Sequence, residues 1–228
     1  METTRFRDRA EAGRLLAERL RGYSGRDDVV VLGLPRGGVP VAYEVAKALG
    51  APLHVFVVRK LGVPGHEELA MGAIASGGLL VLDEGLVRRL GIGREQLERA
   101  IAAESRELER REAAYGDGRG PPDLEGKTVI LVDDGLATGA TMRAAALAVR
   151  RLNPARLVVA VPVAAEETCN GFRDVVDEIV CEVTPRPFRA VGLWYDDFSQ
   201  TTDDEVRELV GRAAEEASGS LGGDDGGR

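Results

Sequence analysis

The chain has 228 residues and a mass of 24.3 kDa, the size of one domain or of one domain with an elaboration. Apolar residues at 44% and charged residues at 30% exclude wholesale disorder, and the 29 glycines follow no three-residue period, which excludes a collagen-like chain. A net charge of −8 and a pI near 5.0 speak against a nucleic-acid partner, and no apolar run is long enough for a membrane span.

Residues 6–20 carry a helical pattern with Ala10, Leu15, Leu16 and Leu20 as its buried face. This N-terminal stretch alternates charged with apolar residues and has no signal-peptide core, so a soluble, cytoplasmic protein is expected. Val29 to Leu34 is a short continuous apolar run, the mark of a strand buried on both faces. A tight loop, Pro35-Arg36-Gly37-Gly38, leads into a helix over 39–49 and a second buried strand over 53–58. That order is a βαβ unit and predicts a parallel sheet. Residues 61–78 are polar and Gly-rich and read as a mobile loop, followed by a short strand over 79–82. A charged helix spans 94–115, with Leu97, Ile101 and Leu108 on one side and Glu95/Arg99 and Glu107/Arg111 paired along it. After a loop over 116–126, strands are expected at 128–132, 156–163 and 178–183, and helices at 139–152 and 203–217. Residues 218–228 read as a frayed, disordered tail behind a single domain over 1–217. Cys169 and Cys181 stand twelve apart with no CxxC, and His54 and His66 are the only histidines, which is too few ligands for zinc. Two ordinary thiols in a reducing compartment are the expectation.

The most informative stretch runs from Val129 to Thr141, VILVDDGLATGAT. An apolar strand ends in two adjacent carboxylates, Asp133 and Asp134, and a loop with two glycines and two threonines then opens a helix. Free N–H groups at a helix start bind anions, Thr hydroxyls add donors, and Gly139 lets the backbone come close. Two carboxylates beside such a cradle suit neighbouring sugar hydroxyls, so the chemistry points to a sugar phosphate. A P-loop is excluded, because no GxxxxGK[ST] occurs. A haloacid-dehalogenase-like site would want Asp where Gly135 stands, and a receiver domain would put its acidic pair after the first strand. GxGxxG is absent as well.

The stretch resembles the phosphoribosyl pyrophosphate (PRPP) motif of type I phosphoribosyltransferases. The resemblance extends to Leu34-Pro35-Arg36-Gly37-Gly38, similar to the family's pyrophosphate loop, and through Arg59-Lys60 to 61–78, placed like its flexible catalytic loop. It implies an α/β fold with a mostly parallel sheet flanked by helices, a helical insertion over 79–123 and a small C-terminal hood over 184–202. It implies transfer of phosphoribose from PRPP to a nitrogenous base, with Mg²⁺ and release of pyrophosphate. In that carry-over Asp133 and Asp134 hold the ribose hydroxyls, directly or through Mg²⁺. Ala137, Thr138, Gly139, Ala140 and Thr141 cradle the 5-phosphate. Arg36, Gly37, Gly38 and Arg59 meet the pyrophosphate, and Lys60 joins the acidic pair as a catalytic candidate. Trp194 and Tyr195, in the only dense aromatic cluster, are candidates to stack on the acceptor, or alternatively pack that segment onto the sheet. Family members acting on 6-oxopurines carry Asp at the place of Ala137, so such a substrate is disfavoured. The partners implied are PRPP and a small acceptor, with neither nucleic acid nor membrane, and a homodimer is the common family state. A PRPP- or nucleotide-sensing regulator on the same fold, or hydrolysis of a phosphoribosyl compound, is the alternative.

Overall fold

The structure is a computed structural model and describes residues 5–115 and 122–220. Helix α1 (Arg9–Arg19) starts at Asp8, whose side chain accepts from Glu11 N and so satisfies one of the free amides of the first turn. Its buried stripe is Ala12, Gly13, Leu16 and Ala17, whereas Leu15, expected inside, is 43% exposed. The stripe is turned because Gly13 lies flat on the next helix, where a Cβ would come 2.7 Å from Val41 O.

Strand β1 (Val29–Gly33) is buried at every position. Helix α2 (Gly38–Leu49) follows and ends on Gly50 in the left-handed region, an ordinary helix stop. Strand β2 (Leu53–Val55) is shorter than the run that suggested it. From Val58 the chain leaves the sheet and builds a second one: β3 (Val58–Val63), β4 (His66–Ala75) and β5 (Leu79–Leu82), paired antiparallel in that order. Most of 61–78 is therefore a hairpin, not a loop. Leu61 and Met71 are 0% exposed, and Val63 and Ile74 are buried with them. The register slips on either side of Gly62, a bulge that breaks the alternation and hides the strand in the sequence.

Two helices come next, α3 (Glu84–Arg89) and α4 (Arg94–Tyr115). The expected loop over 116–126 lies partly outside the described residues, which resume at Pro122. The chain then returns to the first sheet through β6 (Thr128–Val132), α5 (Ala140–Arg150), β7 (Arg156–Val163), α6 (Glu166–Asn170) and β8 (Glu178–Val183). Helix α7 (Asp203–Ser220) closes the order, and residues 221–228 of the expected tail lie outside the described residues.

The five-stranded sheet runs β2-β1-β6-β7-β8 with every pair parallel. Helices α1, α2 and α7 cover one face, where Leu16, Val41, Val45 and Leu209 meet Val29, Val31, Ile130 and Val158. On the other, Met142 and Val149 of α5 pack with Leu32, Leu131, Val159 and Phe172. The small sheet leans on α5 and carries α4, whose Leu108 is buried beside Leu61 and Met71. No helix among the described residues is long and apolar enough to cross a membrane. Cys169 of α6 and Cys181 of β8 form a disulfide, which corrects the expectation of two free thiols. The chain between them folds back so that α6 lies on the edge strand, and sequence spacing does not report that return.

The buried hairpin predicts that ligand-free protein resists trypsin at Arg59 and Lys60, as time-resolved proteolysis followed by mass spectrometry would show. Met71→Ala should cost about 2–5 kcal/mol of stability in a urea melt, the range for emptying a sealed core position.

Candidate functional site

In the main sheet β1 and β6 are neighbours, yet β1 is followed by β2 on one side and β6 by β7 on the other. Loops leaving their carboxyl ends therefore diverge and open a crevice, the place where open α/β sheets take ligands. The first loop continues the ladder by one bond, Leu34 N donating to Val132 O at 2.9 Å, and the Pro35–Arg36 peptide is cis. Two glycines then lie directly on the acidic residues that end β6. A Cβ on Gly37 would sit 2.0 Å from Asp134 Oδ2, and one on Gly38 would sit 2.8 Å from Asp133 Cα. The structure thus brings Gly37 and Gly38 together with Asp133 and Asp134.

Asp133 Oδ1 accepts from Asp134 N at 2.9 Å, and its other oxygen takes no protein hydrogen bond among the described residues. Asp134 Oδ2 accepts from Arg9 Nε at 2.9 Å, and Asp134 O accepts from the Tyr195 hydroxyl at 2.7 Å. Burial pushes the Asp133 carboxyl well above the usual carboxylate range, and the charge of Asp134 adds to the shift. Burial also raises Asp134, against the pull of the Arg9 guanidinium. Tyr195 is raised as well, first by burial and then by the charge of Asp134, and stays a phenol that donates.

The second loop, Gly135 to Gly139, is pinned from below: Leu136 N donates to Val163 O at 2.9 Å, and Ala137 O accepts from Thr168 Oγ1 at 2.7 Å. Gly139 has φ 71 and precedes the first turn of α5. A Cβ there would come 2.7 Å from Phe172 Cε2, so the loop rests on that ring. Ala137, Thr138, Ala140 and Thr141 line the start of α5 and are all exposed; Ala140 N donates to Thr138 Oγ1 at 3.4 Å, and the other first-turn amides and the macrodipole favour an anion.

Other expected residues stand elsewhere. The Arg36 guanidinium is held by the start of α7, with Nη1 3.8 Å from Asp203 Oδ1. Arg59 pairs with Glu104 of α4 at 2.7 Å, and with Lys60 it lines a cleft of about 640 Å³ between β3 and α4. Tyr195 is 4% exposed, with ring centroids 5.4 Å from Phe6 and 5.0 Å from Phe198. That ring has no open face for a base, which corrects its assignment as a stacking residue: it packs the strap over 184–202 onto the sheet. Trp194 is partly buried in the same cluster. Arg9 is absent from the sequence expectations. The periodicity of α1 marks only its apolar face, and a contact across 125 residues leaves no local signal.

No cluster of three or more metal-ligating side chains occurs among the described residues. Each carboxylate of the pair nevertheless keeps one oxygen without a protein donor among them. Mg²⁺ takes one or two carboxylates together with substrate phosphates, so the donor set fits a cation that arrives with a diphosphate.

The family model described as a phosphoribosyl transferase domain matches residues 6–179. The chain belongs to that family. It is 48% identical over 208 residues to the proteins named "Putative phosphoribosyl transferase" in two strains of Mycobacterium tuberculosis, CDC 1551 and H37Rv, with 91% of this chain covered. That alignment covers 47% of each relative, so the chain spans about half the length of the curated relatives it matches. The crystal structure of TT1426 from Thermus thermophilus is similar with a TM-score of 0.83 and 45% identity, covering 91% of this chain and 98% of that one.

A carboxyl raised on folding weakens the folded state once pH exceeds its unfolded value, because its ionised form is the less favoured one there. Asp133→Asn should therefore raise the melting temperature of ligand-free protein at pH 7, by about 2–4 °C for each kcal/mol relieved. The gain should vanish near pH 4, where both proteins are neutral at this position. Melting curves at the two pH values check the sign.

Proposed function

We propose that the chain is a Mg²⁺-dependent phosphoribosyltransferase, transferring phosphoribose from PRPP to a nitrogenous acceptor and releasing pyrophosphate. One observation carries the reading: backbone glycines of the β1 loop lie on the carboxylates that end β6, beside the Thr-Gly-Ala-Thr turn that opens α5. In this reading they serve the diphosphate, the ribose hydroxyls and the 5-phosphate, in the order that PRPP presents its groups.

In this reading the α5 turn binds the 5-phosphate through backbone N–H groups and the Thr138 and Thr141 hydroxyls. Asp133 accepts from the ribose hydroxyls and orients the anomeric carbon. The C1–oxygen bond to pyrophosphate breaks through an oxocarbenium-like state, and the acceptor nitrogen takes the open valence. The Arg36 guanidinium and the Arg36 and Gly37 amides stabilise the leaving diphosphate. Mg²⁺, when bound, supplies charge neutralisation of the diphosphate. Ala137 places no carboxylate in the loop, so proton transfer to a 6-oxopurine has no side chain there, and other bases are favoured.

Incubation with PRPP, Mg²⁺ and a panel of bases should yield one nucleotide and stoichiometric pyrophosphate. PRPP binding without any product would favour a PRPP sensor. Thr138→Val should weaken ribose 5-phosphate binding by about 10- to 100-fold, the worth of a hydrogen bond to a charged group. Gly139→Val should do more, since a branched side chain at this φ collides with Phe172 and shifts the loop. Calorimetry on variants with wild-type circular dichroism is the check, and full affinity in Gly139→Val would remove the loop as the anion site.

A further inference from the structure

Arg9 is the side chain of the crevice to which the preceding mechanism gives no role. Its guanidinium is enclosed: Arg9 and Asp134 have side chains only 12% and 16% exposed. It is used on three sides at once. Nε meets Asp134 Oδ2 at 2.9 Å, Nη1 donates to Ser199 O at 2.7 Å, and the plane lies 4.1 Å over the Phe198 ring. The site of a Cβ on Gly37 is 3.3 Å from Arg9 Nε, so the guanidinium lies directly against the 35–38 loop. Its placement is fixed by backbone pairing between the N-terminal arm and the strap. Phe6 N donates to Trp194 O and Asp196 N to Phe6 O, both at 2.8 Å, and Asp197 N donates to Arg7 O at 2.9 Å. A planar fork is what lets one side chain satisfy a carboxylate, a carbonyl and a ring face together, which an ammonium cannot do.

We propose that Arg9 is a positioning residue of the ribose subsite, a cation built into the chain that fixes Asp134 and cancels its charge. A sugar phosphate then meets one uncompensated carboxylate, that of Asp133, and binds without a metal ion at the acidic pair. The inference rests on the reading of the crevice as a PRPP site. Its physical ground is that two uncompensated carboxylates would repel a phosphate dianion bound at the α5 turn that follows them, in a partly desolvated crevice. Arg9 removes half of that repulsion before any ligand arrives. A divalent cation is then required by the diphosphate and not by the ribose.

The test is calorimetric titration with ribose 5-phosphate in EDTA and again in excess MgCl₂. Wild-type affinity should agree within about threefold between the two buffers. Arg9→Gln should bind at least tenfold more weakly in EDTA and recover most of that loss in Mg²⁺, because the added cation replaces the missing charge. Arg9→Lys, which keeps the charge and loses the fork, should bind equally in both buffers. A purely structural arginine gives a different result, a loss that Mg²⁺ does not repair, and that outcome overturns the inference. So does an Arg9→Gln protein that binds like the wild type in EDTA. If Arg9→Gln does not fold, the wild type decides alone: a tenfold gain on adding Mg²⁺ overturns the proposal, and equal affinity supports it. Wild-type protein that binds no ribose 5-phosphate in either buffer overturns the PRPP reading, and this inference with it. Binding abolished by Thr138→Val but indifferent to Arg9→Gln overturns this inference alone.

Discussion

Gly33 stands opposite Val132 in the parallel ladder between β1 and β6, and the site exists because that register is fixed. Both strands are buried at all five positions, so a slip by one residue would exchange the two faces of a strand packed on both sides. The ladder runs one bond further, to Leu34, and only then do the chains part. The 35–38 loop is consequently delivered onto Asp133 and Asp134 by the sheet itself. Gly38 Cα lies so near β6 that a methyl group there would be 2.7 Å from Val132 O.

That delivery has an energetic consequence. Two carboxyls sit side by side at a strand end where burial raises both, which costs folding free energy at neutral pH. The surroundings offset part of it with Arg9 on Asp134 and with the peptide N–H on Asp133. The phosphate turn is supported from the other side. Thr168 and Phe172 hold it, and the Cys169–Cys181 disulfide ties α6, which carries Thr168, to the edge strand β8. In the chain-entropy picture a loop of about this length contributes roughly 3 kcal/mol. The turn that opens α5 thus stands on a fixed base.

Strands buried on both faces were legible in the sequence because they read as unbroken apolar runs: β1 at Val29, and β6 and β7 at both ends. The acidic pair and the phosphate turn were legible because they follow such a run directly. The β3–β4 hairpin was not, since its glycines and polar tip mask an inward set of Leu61, Val63, Met71 and Ile74, and a bulge interrupts the alternation. Arg9 and the disulfide were also hidden. Each depends on where distant segments return, and periodicity reports only what repeats along one element.

The cleft beneath α4 and the crevice at the carboxyl edge are different places, joined through one carboxylate. Asp203, in the first turn of α7, accepts from the Tyr115 hydroxyl at 2.8 Å and stands 3.8 Å from Arg36 Nη1. Tyr115 is the last residue of α4, and Arg36 belongs to the loop that lies on the acidic pair. Burial and the neighbouring Asp203 raise the tyrosine above the ordinary phenol value, so its hydroxyl remains a donor throughout the neutral range. The β3–β5 sheet and its helix therefore meet the 35–38 loop through a hydrogen bond and an ion pair on the same acceptor. The α4 unit and the 35–38 loop thus share one carboxylate, although none of the residues of α4 lies on Asp133 or Asp134.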